Sequence, residues 1–307
     1  MEHLDDEDTV DALEDMNAAL PTPTGGAAAG MTARREVALQ WRHVSMEQQR
    51  ASGEFAISLG KRRREAGAPV RTVFVSDEHV AKPTLARLLS SEGGPGGGGR
   101  GGQLRAKLYL SLLWVCAKQP YDVARPARAW AALLGLPDIE TKGVRRVQQA
   151  LRDLEDRQLV RLQDRGGLPS NVVLLSEKGD QSPYAPPSDV YSRLQANKAS
   201  SDQLAEHRYF RVPSTLWTKG YIADLTGPGL AMLLALMSER RGQTDPGIWI
   251  SPARATNRFG FASSTRTDGL TNLRQAGLLT TTRKVVSESG SYIDFARRRS
   301  VHEIVEL

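Results

Sequence analysis

Between residues 142 and 154 the chain sets Lys142, Arg145, Arg146, Gln148, Gln149 and Arg152 around the apolar residues Val147, Leu151 and Leu154. The apolar three recur at intervals of four and three, which is one stripe on an α-helix, so the polar set falls on the opposite face. Guanidinium and carboxamide groups carry paired donors and acceptors that match guanine and adenine edges in the major groove, whereas Lys142 offers a less directional charge for phosphate. The chemistry expected of this face is recognition of double-stranded DNA. The competing expectation is a solvated face whose Arg152 and Arg157 pair with Asp153, Glu155 or Asp156, because exposed ion pairs of that kind are common and weak.

The charge of the whole chain agrees with a polyanion partner. Of 307 residues, 41 are Lys or Arg and 35 are Asp or Glu, but eight of those acids lie in the first 15 residues and no base precedes Arg34. The rest of the chain therefore carries 41 bases against 27 acids. Neutralising phosphates releases condensed counterions, which gives affinity without sequence information. Catalytic and metal chemistry find little support. The five His residues show no i, i+4 pair, a single cysteine, Cys116, lies in an apolar run, and no phosphate-loop or nucleophile-elbow motif is present. No cofactor, no metal and no enzymatic activity are expected. No apolar run approaches the length of a membrane span and the N-terminus is acidic where an export signal would be basic, so a cytoplasmic, nucleoid-associated protein is expected.

Several elements must position the candidate face. Residues 1–33 combine acids with PTPTGGAAAG and are expected to be a disordered acidic tail, able to compete with DNA for the bases behind it. Residues 34–92 form an N-terminal region with one or two helices, a strand at 70–76 and a short helix at KPTLARLLSSE. This region holds the basic cluster Lys61 to Arg64, and its 34–67 part offers a surface for a homodimer. A Gly-rich linker occupies 93–102. The first unit, 103–177, then runs as helix (103–119), short strand YDVA, helix (125–138, with Pro126 at its first position), the helix of the candidate face, and a hairpin around a Gly-Gly-Leu-Pro turn. A linker with one helix spans 178–208, and the order repeats in 209–307: helix at 226–242, strand GIWIS, helix SPARATNRFGF, helix SSTRTDGLTNLRQAG, then two strands. Leu151, Leu154, Leu159 and Val160 recur as Leu270, Leu273, Leu278 and Leu279, and Pro-Ala-Arg-Ala stands at both 126–129 and 252–255. The length leads to an expectation of two separate cores.

This twice-used order of helix, strand, helix, helix and hairpin resembles the winged helix. The third helix followed by Gly and two apolar residues is similar to winged-helix regulators of the multiple-antibiotic-resistance type, and the two-unit architecture resembles the replication initiators of plasmids. The resemblance implies a mainly α fold with small β-hairpin wings, built as two tandem winged-helix domains. It implies that Arg128, Arg254, Asn257 and Arg258 cross phosphates from the second helix of each unit. In the second unit it places Ser264, Thr265, Arg266, Thr267, Asp268 and Thr271 toward the groove, with Arg266 at the position of Val147. Arg161 and Arg165, then Arg283, Lys284 and Arg297 to Arg299, become wing contacts, suited to a minor groove whose negative potential attracts arginine. The expected function is a double-stranded DNA-binding protein acting as a site-specific transcription regulator. A replication or partition protein of a plasmid or mobile element, and a winged-helix adaptor that binds protein, are the alternatives.

Overall fold

A computed structural model describes residues 44–59, 67–77, 80, 82–90, 100–240, 247–287 and 297–305. The acidic tail, the Lys61–Arg64 cluster and most of the Gly-rich linker lie outside these residues. The described chain is mainly helical with small antiparallel sheets and contains no helix long and apolar enough to cross a membrane.

The N-terminal region contributes helix α1 (Met46–Ser58), strand β1 (Ala68–Arg71), one turn of helix α2 (Thr72–Val75) and helix α3 (Thr84–Leu89). The strand expected at 70–76 stops at Arg71. Its only strand partner among the described residues, β5 (Tyr209–Val212), begins opposite that residue, and a helical turn beyond it lets the adjacent Phe74 and Val75 both reach the core. Helix α1 has a capping box in which Ser45 and Gln48 satisfy each other's backbone N–H groups.

The first unit comprises α4 (Arg100–Val115), β2 (Asp122–Ala124), α5 (Ala127–Leu133), α6 (Lys142–Asp156), β3 (Val160–Gln163) and β4 (Asn171–Leu174). The last three residues assigned to the Gly-rich linker, Arg100 to Gly102, start α4 instead. Helix α5 is shorter than the expected 125–138, because Gly135 and Asp138 turn the chain with positive φ, and Pro126 stands at the cap rather than inside the helix. The sheet order is β2-β4-β3, so the first strand pairs with the last.

Between the units lie two helices rather than one, α7 (Pro187–Ala196) and α8 (Ser201–Glu206), followed by β5 and the short turns α9 (Thr215–Thr218) and α10 (Tyr221–Asp224). The second unit comprises α11 (Gly227–Arg240), α12 (Pro252–Phe259), α13 (Ser263–Gln275), β6 (Leu279–Ser287) and β7 (Arg297–Ile304). The strand expected at GIWIS is a single bridge, Ile248 to His302 of β7. The order is nonetheless that of the first unit, with Ile248, β7 and β6 matching β2, β4 and β3.

Among the described residues nearly all the buried apolar side chains form one contiguous cluster and not two. Helix α4 joins the halves. Its Trp114 stacks on Trp217 of α9, with ring centroids 4.6 Å apart and planes 6° from parallel, and the Trp217 indole donates to Ser111 at 3.0 Å. Lys107 Nζ donates to the Ala223 carbonyl at 2.7 Å, and the Gly227 N–H donates to Gln103 at 3.0 Å. Burying each large side chain of this cluster contributes about 1.5–3 kcal/mol relative to exposure. The cluster therefore fixes the two units at one spacing. Cys116 is a buried core residue within it.

Candidate nucleic-acid interface

Helix α6 carries the expected stripe. Val147, Ala150, Leu151 and Leu154 are buried, and Gly143 allows the start of the helix to close on the Asp138 carbonyl, which accepts its N–H at 2.7 Å. The Asp138 carboxylate accepts from the Thr141 backbone and hydroxyl; those hydrogen bonds, with the charge of Lys142 nearby, hold its carboxyl below the usual range. The α5–α6 turn is thereby pinned next to the first basic residue of the face.

On the outer side Lys142, Arg145, Gln148, Gln149 and Arg152 are all exposed, so the structure brings these five together on one surface. Arg146 departs from the set. It is half-buried and near enough to Lys107 for its charge to help lower that amine's pKa. Arg152 does not pair with the neighbouring acids. It donates to Gln149 Oε1 at 3.1 Å, while Gln149 Nε2 donates to Asp153 at 2.8 Å. Asp153 in turn receives the buried Arg105 at 3.0 Å. This chain of contacts orients the Gln149 amide and leaves it on the exposed face. Arg128 on α5, Arg161 on β3 and Arg165 at the hairpin turn are exposed.

The second unit is organised differently. Asn257, Ser264, Thr267, Arg283 and Lys284 are exposed, whereas Arg254, Arg258, Thr265 and Arg266 are half-buried. Arg254 donates to Glu239 Oε2 at 2.6 Å. Arg258 Nε lies 2.9 Å from Glu239 Oε1, as an ion pair without the N–H alignment of a hydrogen bond. Two of the three residues expected to cross phosphates in this unit are thus drawn toward one buried carboxylate, while Asn257 stays exposed. Arg266, at the position of Val147, directs its Nε to the Ile250 carbonyl at 2.8 Å. Its stem covers the edge of the core and the guanidinium is held by backbone. Partial burial pushes the Asp268 carboxyl up. Arg283 and Lys284 sit on β6, opposite Ser300 and Arg299 of β7. The side chains of Arg297 and Arg298 lie outside the described residues.

Close packing explains why α13 can be so polar. Asn272 is buried on its inner side, where Oδ1 accepts from the Thr226 N–H at 2.9 Å and the Thr226 hydroxyl at 3.1 Å. A β-carbon on Gly269 would collide with the Pro228 carbonyl and Met232, and one on Gly229 with Asn272. Two glycines and one asparagine replace part of the usual apolar stripe.

Four residues escaped the sequence reading: Lys107, Glu239, Asn272 and Trp249. Only Trp249 left a local signal, the alternation Ile248-Trp249-Ile250 that buries its neighbours and turns its own side chain outward. The others depend on partners far along the chain. A cleft of about 240 Å³ between α3 and the end of α6 is lined by Leu88 and Leu159 and by the charged Arg87, Arg157 and Asp156. Among the described residues no group of His, Cys, Asp and Glu could hold a metal ion. Comparison with protein-family models, with curated proteins and with solved structures gives no match to this chain.

Proposed function

We propose that this chain is a double-stranded DNA-binding protein built from two winged-helix units, and that it acts as a site-specific regulator of transcription. The observation that carries the reading is the outer face of α6. Lys142, Arg145, Gln148, Gln149 and Arg152 are exposed together on a helix whose opposite side is fully buried, in a unit of helix, strand, helix, helix and hairpin with sheet order β2-β4-β3. In that arrangement the third helix enters the major groove, Gln149 and Arg145 meet base edges, and Arg128, Arg161 and Arg165 meet phosphates on either side. The basic excess behind the acidic N-terminus supports the same partner.

A second reading, a replication or partition protein of a mobile element, accounts for the same geometry: the shared core holds the two units at one fixed spacing, which suits iterated sites as well as a single operator. Both readings require duplex binding, so the same experiment tests them first. Sequences retained from a random duplex pool are titrated with wild type and with the Arg145→Ala/Arg146→Ala/Gln149→Ala variant between 50 and 200 mM salt. The expected result is a defined consensus for wild type and loss of sequence preference in the variant. Equal affinity of the two proteins for the consensus would overturn the reading of α6. Direct repeats among the bound genomic sites support the second reading, and a palindrome over a promoter supports the first.

A further inference from the structure

The second unit repeats the topology of the first but not its chemistry. Its helix-borne arginines face other groups: Arg254 and Arg258 face Glu239, Arg266 faces the Ile250 carbonyl, and Arg274 donates to the Leu270 carbonyl at 3.3 Å. On the first turns of α13 the exposed residues include Ser264 and Thr267, beside the partly buried acid Asp268, and the exposed Arg274 stands at the far end of the helix. A phosphate backbone brought to the start of this helix meets hydroxyls and a carboxylate.

Its hairpin shows the opposite trend. Strands β6 and β7 are nine and eight residues long, against four and four for β3 and β4. Residues directly opposite in an antiparallel ladder point to the same face. Lys284 and Arg299 are such a pair. Leu279 and His302 are buried, which assigns the core face to the alternate positions Leu279, Thr281, Ile304 and His302 and leaves Lys284 and Arg299 on the outer face. Trp249, turned outward between buried Ile248 and Ile250, lies on that face too, and the Arg299 guanidinium sits 4.1 Å from its ring centroid. The planar guanidinium held over the ring carries its N–H donors in a fixed fork, the geometry that suits bidentate phosphate contact.

Building on the proposed duplex binding, we infer that the second unit holds DNA by this outer hairpin face, with Trp249 positioning Arg299 beside Lys284 for the phosphate backbone, and not by helix α13. The first unit selects sequence and the second supplies sequence-independent grip at a fixed distance. Each phosphate neutralised contributes about 0.9 to the slope of log affinity against log salt.

The test measures binding of the full chain to its selected duplex and to an unrelated duplex, at graded salt. Lys284→Gln/Arg299→Gln is expected to lower affinity for both duplexes about tenfold or more and to reduce the salt slope by about 2. Lys284→Gln alone alters one exposed strand residue and is expected to reduce the slope by about 1. Trp249→Phe retains most of the affinity and Trp249→Ala loses it, with near-ultraviolet circular dichroism confirming the fold. The pair Thr267→Ala/Asp268→Ala on α13 is expected to leave affinity within about twofold. Unchanged affinity and slope in the Lys284→Gln variants overturn the inference, as does a large loss from the α13 pair; both leave the reading of α6 standing. Tighter binding of single strands than duplex would also overturn it, since the ring would then stack bases. Failure of the wild-type chain to bind any duplex overturns the inference and the proposed function together.

Discussion

Glu239 Oε2 accepts a hydrogen bond from Arg254 at 2.6 Å, and this contact ties the first crossing helix of the second unit, α12, to the end of its core helix α11. The carboxylate is 5% exposed, while the Arg254 and Arg258 side chains it draws in are 39% and 37% exposed. The guanidiniums can therefore rehydrate if the carboxylate loses its charge. Glu239→Gln is expected to raise affinity for unrelated duplex several-fold and to steepen the salt slope by about 1, as one arginine turns to phosphate. Fluorescence anisotropy with a random-sequence duplex checks this. Equal slopes in the two proteins would mean that the arginines never reach DNA.

Lys107 should make the protein more stable as pH rises above neutral. Burial, opposed by the Asp224 charge and assisted by Arg146, lowers its amine from 10.5 to about 7. The unfolded chain therefore binds more protons than the native one between about pH 7 and 10.5, and stability is lost as pH falls through that window. Urea midpoints are expected to increase from pH 7 to pH 9.5 in wild type. Lys107→Met, which keeps the volume and removes the charge, is expected to be more stable than wild type at pH 7 and to show a flatter profile. A parallel pair of profiles would rule out this role for the amine.

His302 predicts a separate loss on the acid side. Its ring is buried against Thr281, with Nδ1 and the hydroxyl 3.0 Å apart, and desolvation with the charges of Arg266 and Arg274 lowers its pKa from 6.5 to about 4. The neutral ring is the folded form, so the stability it contributes is present above pH 6.5 and lost as pH falls toward 4, amounting to roughly 3 kcal/mol at most. His302→Asn preserves a polar group near Thr281 without a titrating ring. Its unfolding free energy is expected to fall less than that of wild type between pH 7 and 4.5.

Much of this was legible in the sequence. Val147, Leu151 and Leu154 fall on the buried side of α6 as their spacing requires, and the matching leucines of the second copy, Leu270 and Leu273, are buried at equivalent positions. Both hairpins and the order of helices follow from turns and periodicity. What periodicity cannot show is which group stands above a face. Arg254 looks like a phosphate contact until Glu239, 15 positions earlier, is found beneath it. Arg299 gains its platform from Trp249, and Asn272 its place from Thr226, only when the fold is closed. The pairing of β1 with β5 joins residues about 140 positions apart and leaves no local trace.

Gly269 offers a test of the close packing of α13 on α11. With Pro228 and Met232 in the space a β-carbon needs, Gly269→Ala is expected to cost about 1–3 kcal/mol, since the backbone carbonyl cannot rotate away. Gly277→Ala, where no atom crowds the site but φ is +72°, is expected to cost about 1 kcal/mol from backbone strain alone. Thermal denaturation of the two variants separates crowding from strain.

The β1–β5 ladder also bears on how the chain is made. Ala68 to Arg71 leave the ribosome early, yet they pair with Tyr209 to Val212, and the buried Arg71 is held by Glu177 and the Ala185 carbonyl. The whole first unit must therefore be synthesised, and can begin to fold, while the edge of β1 waits for β5. That edge is paired only when Tyr209 to Val212 emerge. Strand β1, early in the described structure, is thus stitched in late, and a chain stalled before residue 212 would present an open strand edge for other nascent chains to pair with.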